Sequence, residues 1–296
     1  MNPQEICLKG KLYKAFLISD LGFMELISTK DRSLAFYHSP GRTMLSTPTS
    51  WRPTSSPWSR EVQELCHFYQ MKAIKLQVRK QNLQFLMILG DKMDQLNGVV
   101  IPGGDVLLQH GDGSLTDFSI KGKFILDYAK EQNKNGIYYP VWAVCQGFEQ
   151  LSVIEVPKQH TLIQASSQNI PWNLTFVMPK TETRMFMEMP DDLIEAIETE
   201  AISYHNNGWR VDPETFKNEE SLKEYNVIAI SHDRDGRPMV ASIEHQTYPI
   251  YSHQFHPEKN QFVWVDTLPI PHTKHAMDLS KQPIFIFRQI LLRIFR

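Results

Sequence analysis

The stretch "YYPVWAVCQGFEQLS", residues 138–152, contains an apolar run that stops at Cys145 and turns at once into a helical pattern. An apolar strand that ends on one reactive residue, followed closely by a glycine, is typical of a sharp strand-to-helix turn that presents a nucleophile. Gly147 permits the close approach that such a turn needs. A helix N-terminus beside the sulfur would also favour thiolate over thiol. Taken alone, Cys145 is more simply a buried core residue, because free cysteine is among the most buried residue types.

Composition limits the function classes. The chain has 296 residues, 42% of them hydrophobic and 22% charged, and a formal net charge of -2. This is ordinary globular content without the basic excess that draws a protein to nucleic acid. No apolar run reaches the roughly 20 residues that span a bilayer, and no signal peptide is visible at the start. The three cysteines, Cys7, Cys66 and Cys145, predict neither a disulfide framework nor a C-x-x-C zinc site.

Alternating strand and helix patterns predict an α/β fold, with a mostly parallel central sheet covered by helices on both faces. The predicted elements are a strand over 99–101, a helix over 117–135, a strand over 136–145, a helix over 146–154, a hairpin of strands over 225–231 and 238–246, and a strand over 248–256. Ligand sites in open parallel sheets lie beyond the carboxyl ends of the strands. We therefore expect the functional residues to follow these strands.

The two ends of the chain lack this pattern. Residues 39–59 are rich in Ser, Thr and Pro and are interpreted as a loop. We therefore divide the chain into a divergent, poorly ordered segment over 1–60 and one α/β domain over 61–296. The apolar and basic end, 283–296, is interpreted as a last helix packed on the sheet in preference to a helix on a membrane surface.

A cysteine nucleophile requires a base and a group that orients the base. His256 is the candidate base, because it follows a predicted strand that Pro257 stops. Glu258 is placed to accept the second imidazole proton. A metal site built from His253, His256 and Glu258 is disfavoured, because residues three apart on a strand point to opposite faces.

Acyl transfer also requires donors for the oxyanion that develops on the carbonyl. The backbone N–H of Gln146, directly after the cysteine, is one candidate. The turn at Pro102-Gly103-Gly104 offers a second at Gly104, because glycine leaves bare backbone facing the substrate. Without the other features, this turn would be read as an ordinary loop.

Three blocks of the sequence resemble the signature blocks of the gamma-glutamyl hydrolase family, which has the class I glutamine amidotransferase-like fold. They are "GVVIPGGD" (98–105), "YYPVWAVCQGFEQLS" (138–152) and "YPIYSHQFHPEKNQFVW" (248–264). The resemblance covers about residues 94–280, with "YHNNG" (204–208) as a supporting piece. It implies a hydrolase that cleaves gamma-linked glutamate tails, typically of folylpoly-gamma-glutamates, through a thioester and without a metal or organic cofactor.

The resemblance also implies roles for individual residues. Cys145 falls on the family's nucleophile, His256 on its catalytic histidine, Glu258 on the acidic residue after it, and His205 on a second active-site histidine. The predicted contacts with the small-molecule substrate are completed by Gly103 and Glu149. Members of the family are usually lysosomal, vacuolar or secreted and are often glycosylated, so that the sequon "NLT" predicts glycan on Asn173. The resemblance also allows a homodimer.

The sequence departs from the family at Ala143, where the family usually has glycine two residues before the cysteine. Alanine costs little there if that position keeps a negative φ. Two other functions stay open. One is a glutaminase that passes ammonia to a synthase partner, and the other is a relative that has lost its catalytic activity.

Overall fold

The computed structural model describes residues 93, 96, 98–156 and 160–282, together with the backbone of four strands between residues 15 and 77. The strands are β1 (Ala15–Ser19), β2 (Phe23–Ser28), β3 (Ala35–His38), β4 (Lys72–Gln77), β5 (Gly98–Ile101), β6 (Val141–Val144), β7 (Leu162–Trp172), β8 (Thr175–Phe176), β9 (Ser203–Val211), β10 (Tyr225–His232), β11 (Pro238–His245) and β12 (Ile250–His253). The α-helices are α1 (Asp117–Lys134), α2 (Gln146–Glu155), α3 (Asp191–Thr199), α4 (Pro213–Asn218), α5 (Lys259–Phe262) and α6 (Lys274–Leu279).

One large sheet organises the described part of the chain, in the order β4-β2-β3-β1-β5-β6-β12-β11-β10-β8. Its centre, from β3 to β12, is parallel, and both wings are antiparallel. The predicted α/β class is confirmed, and β5, β6 and β12 lie side by side within the parallel centre. Their carboxyl ends therefore meet at one edge.

The core lies on both faces of this sheet, as the alternation along β6 shows. Val141 and Ala143 pack into an apolar cluster that α1 and α2 cover. Trp142 and Val144 face a second cluster that α3 and α6 cover. Because successive strand residues point to opposite faces, a strand covered on both sides must be apolar throughout. Helices on both faces, as predicted, account for the unbroken "VWAV" run.

Several predicted elements are confirmed with shifted ends. The strand predicted over 136–145 is limited to Val141–Val144, since Pro140 before it has no N–H to donate to a ladder. The strand predicted over 248–256 ends at His253. Beyond it the backbone leaves the sheet, and the N–H of His256 donates to the carbonyl of Tyr204 at 2.8 Å. His256 therefore lies in the segment after the strand and not on its last residue.

A two-stranded antiparallel ribbon, β7 with β9, lies outside the large sheet. Its pairing is interrupted by register shifts on both sides of Ser167, and Asn169 has a φ of 50°. The sequence pattern did not predict this ribbon. It brings residues of β9 to the carboxyl edge of the sheet, as described below.

Some predictions concern residues that the structure leaves undescribed. The loop at 39–59, the boundary at 60/61 and the terminal run 283–296 lie outside the described residues, although β1, β2 and β3 fall within 1–60. Over the part that is described, none of the helices combines the length and the apolar character needed to cross a membrane.

Candidate active site

The turn between β6 and α2 holds Cys145 in a strained backbone conformation, with φ 55° and ψ −114°. Within the described ranges, Asn169 is the one other non-glycine residue with positive φ, so Ala143 fits its strand without strain. The turn is fixed from both sides. The N–H of Cys145 donates to the carbonyl of His253 at 2.7 Å, and its own carbonyl accepts from the N–H of Glu149 at 3.0 Å. Strain of about 1–3 kcal/mol at such a residue is common at functional sites.

Close packing of α2 against β5 explains why glycine occupies position 147, two residues after Cys145. A Cβ added at Gly147 would lie 2.2 Å from the carbonyl oxygen of Ile101. A side chain at this position would therefore push the helix away from the strand and displace Cys145. The glycine was predicted to allow the sharp turn, and the close contact that requires it is with the neighbouring strand.

The loop after β5 is tied to the same turn. The side-chain amide of Gln146 accepts from the N–H of Val106 at 3.1 Å and donates to its carbonyl at 2.8 Å. This two-way bond holds the segment that contains Gly103 and Gly104 against the start of α2. The backbone of Gly103 is thereby placed beside the cysteine.

Gly103 also shows that the cysteine and His256 lie together. A Cβ added at Gly103 would lie 3.0 Å from Cβ of Cys145, 3.3 Å from its Sγ and 3.0 Å from Cε1 of His256. Both side chains therefore converge on one point above a bare backbone. The structure brings together the three predicted strand-end features, although 153 positions separate Gly103 from His256.

His256 is oriented by Glu258, whose Oε1 accepts from Nδ1 of His256 at 2.8 Å. This bond leaves the opposite ring nitrogen, Nε2, as the candidate for proton transfer. The imidazole is 3% exposed and the carboxyl residue 9% exposed, so the pair is shielded from water. The geometry is that of a base held by a carboxylate.

Burial is the dominant electrostatic influence on these groups. It raises the pKa of the Cys145 thiol, an effect that the neighbouring Glu149 carboxylate reinforces and Lys259 opposes. It also lowers the pKa of His256 well below its usual range and raises the pKa of Glu258 to about 8. Since a low-dielectric site disfavours charged forms, the resting pair is a neutral thiol and a neutral imidazole.

The β9 strand adds two buried residues to the cluster. His205 is fully buried, and this burial, together with nearby His256, lowers its pKa to about 3. Asn207, two residues further along β9, donates its side-chain N–H to Sγ of Cys145 at 3.3 Å. His205 was predicted from the "YHNNG" block, whereas Asn207 was missed. Its alternation with His205 on one strand face was a signal that could have found it.

Glu149 lies one helical turn after Cys145 and is buried beneath it. Its Oε1 accepts from the side-chain amide of Gln254 at 3.0 Å. Burial raises the pKa of Glu149 to about 7. A second acidic group thus lies close to the sulfur, in addition to Glu258.

Other residues of interest lie apart from this cluster. His253 hydrogen-bonds through Nδ1 to the hydroxyl of Ser242 at 2.8 Å and packs against Trp142 and Phe186 on the other face of the sheet. Asn173 is exposed between β7 and β8, where its side-chain N–H donates to the carbonyl of Glu198 at 2.7 Å. Among the described residues no group of His, Cys, Asp and Glu is arranged to hold a metal ion.

Comparison with known proteins identifies a family that covers the residues of this site. Residues 70–263, well over half of the chain, match the family glutamine amidotransferase class-I. The chain belongs to the class-I glutamine amidotransferase family. The turn at Cys145 and the histidine–carboxylate pair fall within the matched residues.

Within this family the chain is similar to curated gamma-glutamyl hydrolases, in agreement with the predicted resemblance. It is 31% identical over 186 residues to "Gamma-glutamyl hydrolase" of Rattus norvegicus, covering 62% of this chain and 56% of the relative. It is 28% identical over 190 residues to "Gamma-glutamyl hydrolase B" of Dictyostelium discoideum, covering 62% of this chain and 52% of the relative. The chain thus spans about half the length of these curated relatives.

A solved glutamine amidotransferase from Thermotoga maritima aligns with 72% of this chain and 82% of its own, at 12% identity and a TM-score of 0.44.

Proposed function

We propose that the chain is a cysteine-dependent hydrolase of gamma-glutamyl bonds. The observation that supports this most strongly is the convergence of Cys145 and His256 on Gly103, with Nδ1 of His256 bonded to Glu258 at 2.8 Å. The curated relatives named gamma-glutamyl hydrolase supply the substrate class. Poly-gamma-glutamates attached to a folate are the proposed natural form of that substrate.

In the proposed first step, Sγ of Cys145 attacks the gamma-carbonyl carbon of the glutamyl bond. Nε2 of His256 accepts the thiol proton as the S–C bond forms, because burial disfavours a separated thiolate and imidazolium beforehand. Glu258, in its ionised form, holds the Nδ1 proton and stabilises the imidazolium that results. The proton then passes to the leaving amine, and the C–N bond breaks to give a thioester.

The oxyanion of this step is proposed to lie between the backbone N–H groups of Gln146 and Gly104. Gln146 begins α2, and its side-chain clamp on Val106 holds the Gly104 segment next to it. Preorganised donors of this kind contribute about 10²–10³ in rate each. A water molecule, deprotonated by His256, then attacks the thioester, and the acyl group leaves as the free acid while the thiol is regenerated.

His205, Gly103 and Glu149 are the proposed substrate-side residues. His205 is held neutral, since burial lowers its pKa to about 3, and so it offers hydrogen bonds without charge. Gly103 leaves space above the sulfur that any side chain would fill. Glu149, with its pKa raised to about 7 by burial, is placed to meet a donor on the glutamyl group.

The test of this function is a direct assay of the purified full chain on a gamma-linked glutamate peptide and on free glutamine. We expect peptide hydrolysis that is lost in Cys145→Ala and kept in Cys66→Ala, a matched cysteine control that lies outside the described residues. Ammonia release from glutamine in excess of peptide cleavage would instead identify a glutaminase. Absence of both reactions in a folded chain would identify a relative without catalytic activity.

A secretory route is proposed from the sequon. Asn173 is exposed, so a glycan there would meet solvent rather than the core. Expression in a glycosylating host should increase the mass of the secreted protein, and Asn173→Gln should remove the increase. A secreted protein of unmodified mass would contradict this route.

A further inference from the structure

The side chain of Asn207 lies directly against the sulfur of the candidate nucleophile. Asn207 is 2% exposed, and its Nδ2 donates to Sγ of Cys145 at 3.3 Å. The next residue back, Asn206, points the opposite way and is exposed, with its Oδ1 accepting from the N–H of Asn169 at 3.2 Å. The strand alternation thus gives two adjacent asparagines entirely different surroundings.

We propose that Asn207 is a positioning residue that fixes the sulfur of Cys145 and stabilises the thiolate as it forms. The inference rests on the proposed function, in which Cys145 attacks as a nucleophile. It assigns to β9 a role in the chemistry besides that of His205. The contact is a hydrogen bond from a neutral amide to sulfur, and it needs no cofactor or ion.

The charges around the sulfur explain why a neutral donor is useful there. The groups that face it come from every element packed against it and oppose one another. They are Glu149 on α2, His205 on β9, His256 and Glu258 after β12, and Lys259 on α5. The two carboxylates and burial disfavour a thiolate, whereas Lys259 and the backbone N–H of Gln146 favour it. An amide N–H also stabilises the thiolate, and it does so without bringing a charge that would itself need solvation.

The rest of the Asn207 side chain supports the same interpretation. Its amide also lowers the pKa of Glu149 and raises that of His205, so the group lies between the acid beneath the sulfur and the histidine beside it. Its Oδ1 is buried and makes no hydrogen bond with any described residue. Buried polar atoms are rarely left unbonded without a functional reason. The side-chain amide of Asn207 thus lies within hydrogen-bonding reach of Glu149 and His205 as well as of the sulfur.

The proposed bond acts at one stage of the reaction. As His256 removes the thiol proton, negative charge collects on Sγ and the N–H···S bond strengthens, because bonds to charged acceptors are stronger than bonds to neutral ones. As the S–C bond forms, the charge moves to the carbonyl oxygen and the bond weakens again. Asn207 thus favours thiolate formation without stabilising the thioester.

The experiment measures the pH dependence of the Cys145 thiol without a substrate. Carboxamidomethylation by iodoacetamide is followed by peptide mass, and the ultraviolet absorbance of the thiolate is followed against a Cys145→Ala blank. We expect Asn207→Ala to raise the apparent pKa of Cys145 by about one unit, so that labelling near neutral pH slows about tenfold. Asn206→Ala, the adjacent and exposed control, should match the wild type.

A second variant guards against a folding defect. Asn207→Asp keeps the shape of the side chain but replaces the donor by a carboxylate, so it should raise the apparent pKa further than Asn207→Ala does. The inference would be overturned if the pH profiles of Cys145 labelling in both variants superimposed on that of the wild type. It would also be overturned if the variants lowered the apparent pKa of Cys145. Because labelling needs no substrate, a shifted thiol in a chain that does not cleave gamma-glutamyl peptides would refute the proposed function while showing that Asn207 still stabilises the thiolate of Cys145.

Discussion

Asp233 and Glu258 are both buried carboxylates, at 1% and 9% exposure, but their surroundings differ. Asp233 opens the turn between β10 and β11. Its oxygens accept from the backbone N–H groups of Ser166, Asp235 and Arg237 and from Nε of Arg237. Burial raises its pKa, but the hydrogen bonds from Arg237, Ser166 and Asp235 together outweigh that effect and hold the pKa below its usual value.

Glu258 has far fewer partners. Its Oε1 accepts from His256, while Oε2 makes no hydrogen bond with the described residues. Burial raises its pKa to about 8. Asp233 is fully bonded and has a lowered pKa, whereas Glu258 has one oxygen without a hydrogen-bond partner among the described residues and a raised pKa. Groups perturbed in this way cluster at functional sites, and the contrast predicts which substitutions affect activity and which affect stability.

The largest expected effect tests whether the histidine next to Glu258 does chemistry. His256→Asn should lower kcat/KM on a gamma-glutamyl peptide by about 10²–10⁴, the usual contribution of a general base. His253→Asn is the matched control, three residues earlier and on the other face of the sheet. Steady-state kinetics of both variants decide the point. Equal losses in the two would mean that the site has been placed on the wrong histidine.

The next effect tests the convergence of side chains on Gly103. Gly103→Ala places a methyl group about 3.0 Å from both Cys145 and His256, so we expect kcat to fall on the order of 10–100-fold, as misplacement by a fraction of an ångström does. Gly111→Ala is the control, since an added Cβ there meets nothing within 4 Å. Unchanged kcat in Gly103→Ala would contradict the crowded geometry above the sulfur.

The two carboxylates themselves should show opposite responses. Glu258→Gln should lower kcat about tenfold, because it only orients the imidazole, and should change the free energy of unfolding by less than about 1 kcal/mol. Asp233→Asn should leave kcat unchanged and lower the free energy of unfolding by about 2 kcal/mol, because it weakens several charged hydrogen bonds. Urea unfolding and kinetics on the same preparations measure both. If Glu258→Gln were the destabilised variant, the contrast between the regions would fail.

The smallest effect concerns a buried histidine outside the site. Burial lowers the pKa of His253 to about 3 in the folded chain, from 6.5 in the unfolded chain. Below pH 6.5 the unfolded chain therefore binds a proton at His253 that the folded chain does not bind. The stability that this supplies is present above pH 6.5 and is lost as the pH falls towards 3, by about 1 kcal/mol between pH 6.5 and about 5.5. Unfolding free energies of the wild type and His253→Gln should differ in this slope, and identical slopes would show that His253 protonates freely when folded.

Sequence patterns predicted the central strands and the first two helices because their apolar residues are unbroken or periodic. The run "VWAV" is apolar on both faces since helices cover both faces. By contrast, β7 reads "LIQASSQNIPW" and is interrupted by register shifts, so no period of two survives to predict it. The ribbon's position beside Cys145, and with it the contact from Asn207, depends on tertiary packing that spacing alone does not encode.

The site was predictable to the extent that its residues follow strands. Cys145 and Gly103 directly follow parallel neighbours, so topology alone brings them together. His256 was predicted on the end of β12 but lies three residues beyond it, where its N–H pairs with Tyr204 of β9. The prediction selected His256 because Pro257 and Glu258 mark the segment, but the ribbon that fixes its position could not be inferred from the local sequence.

The most direct test of the central claim is the mass of the protein during turnover. A reaction with a gamma-glutamyl peptide, quenched in acid and digested, should yield a thioester-linked glutamyl adduct on the peptide that contains Cys145. The adduct should be absent from Cys145→Ala, which should not turn over. Wild-type turnover by Cys145→Ala, or an adduct on another residue, would contradict the account.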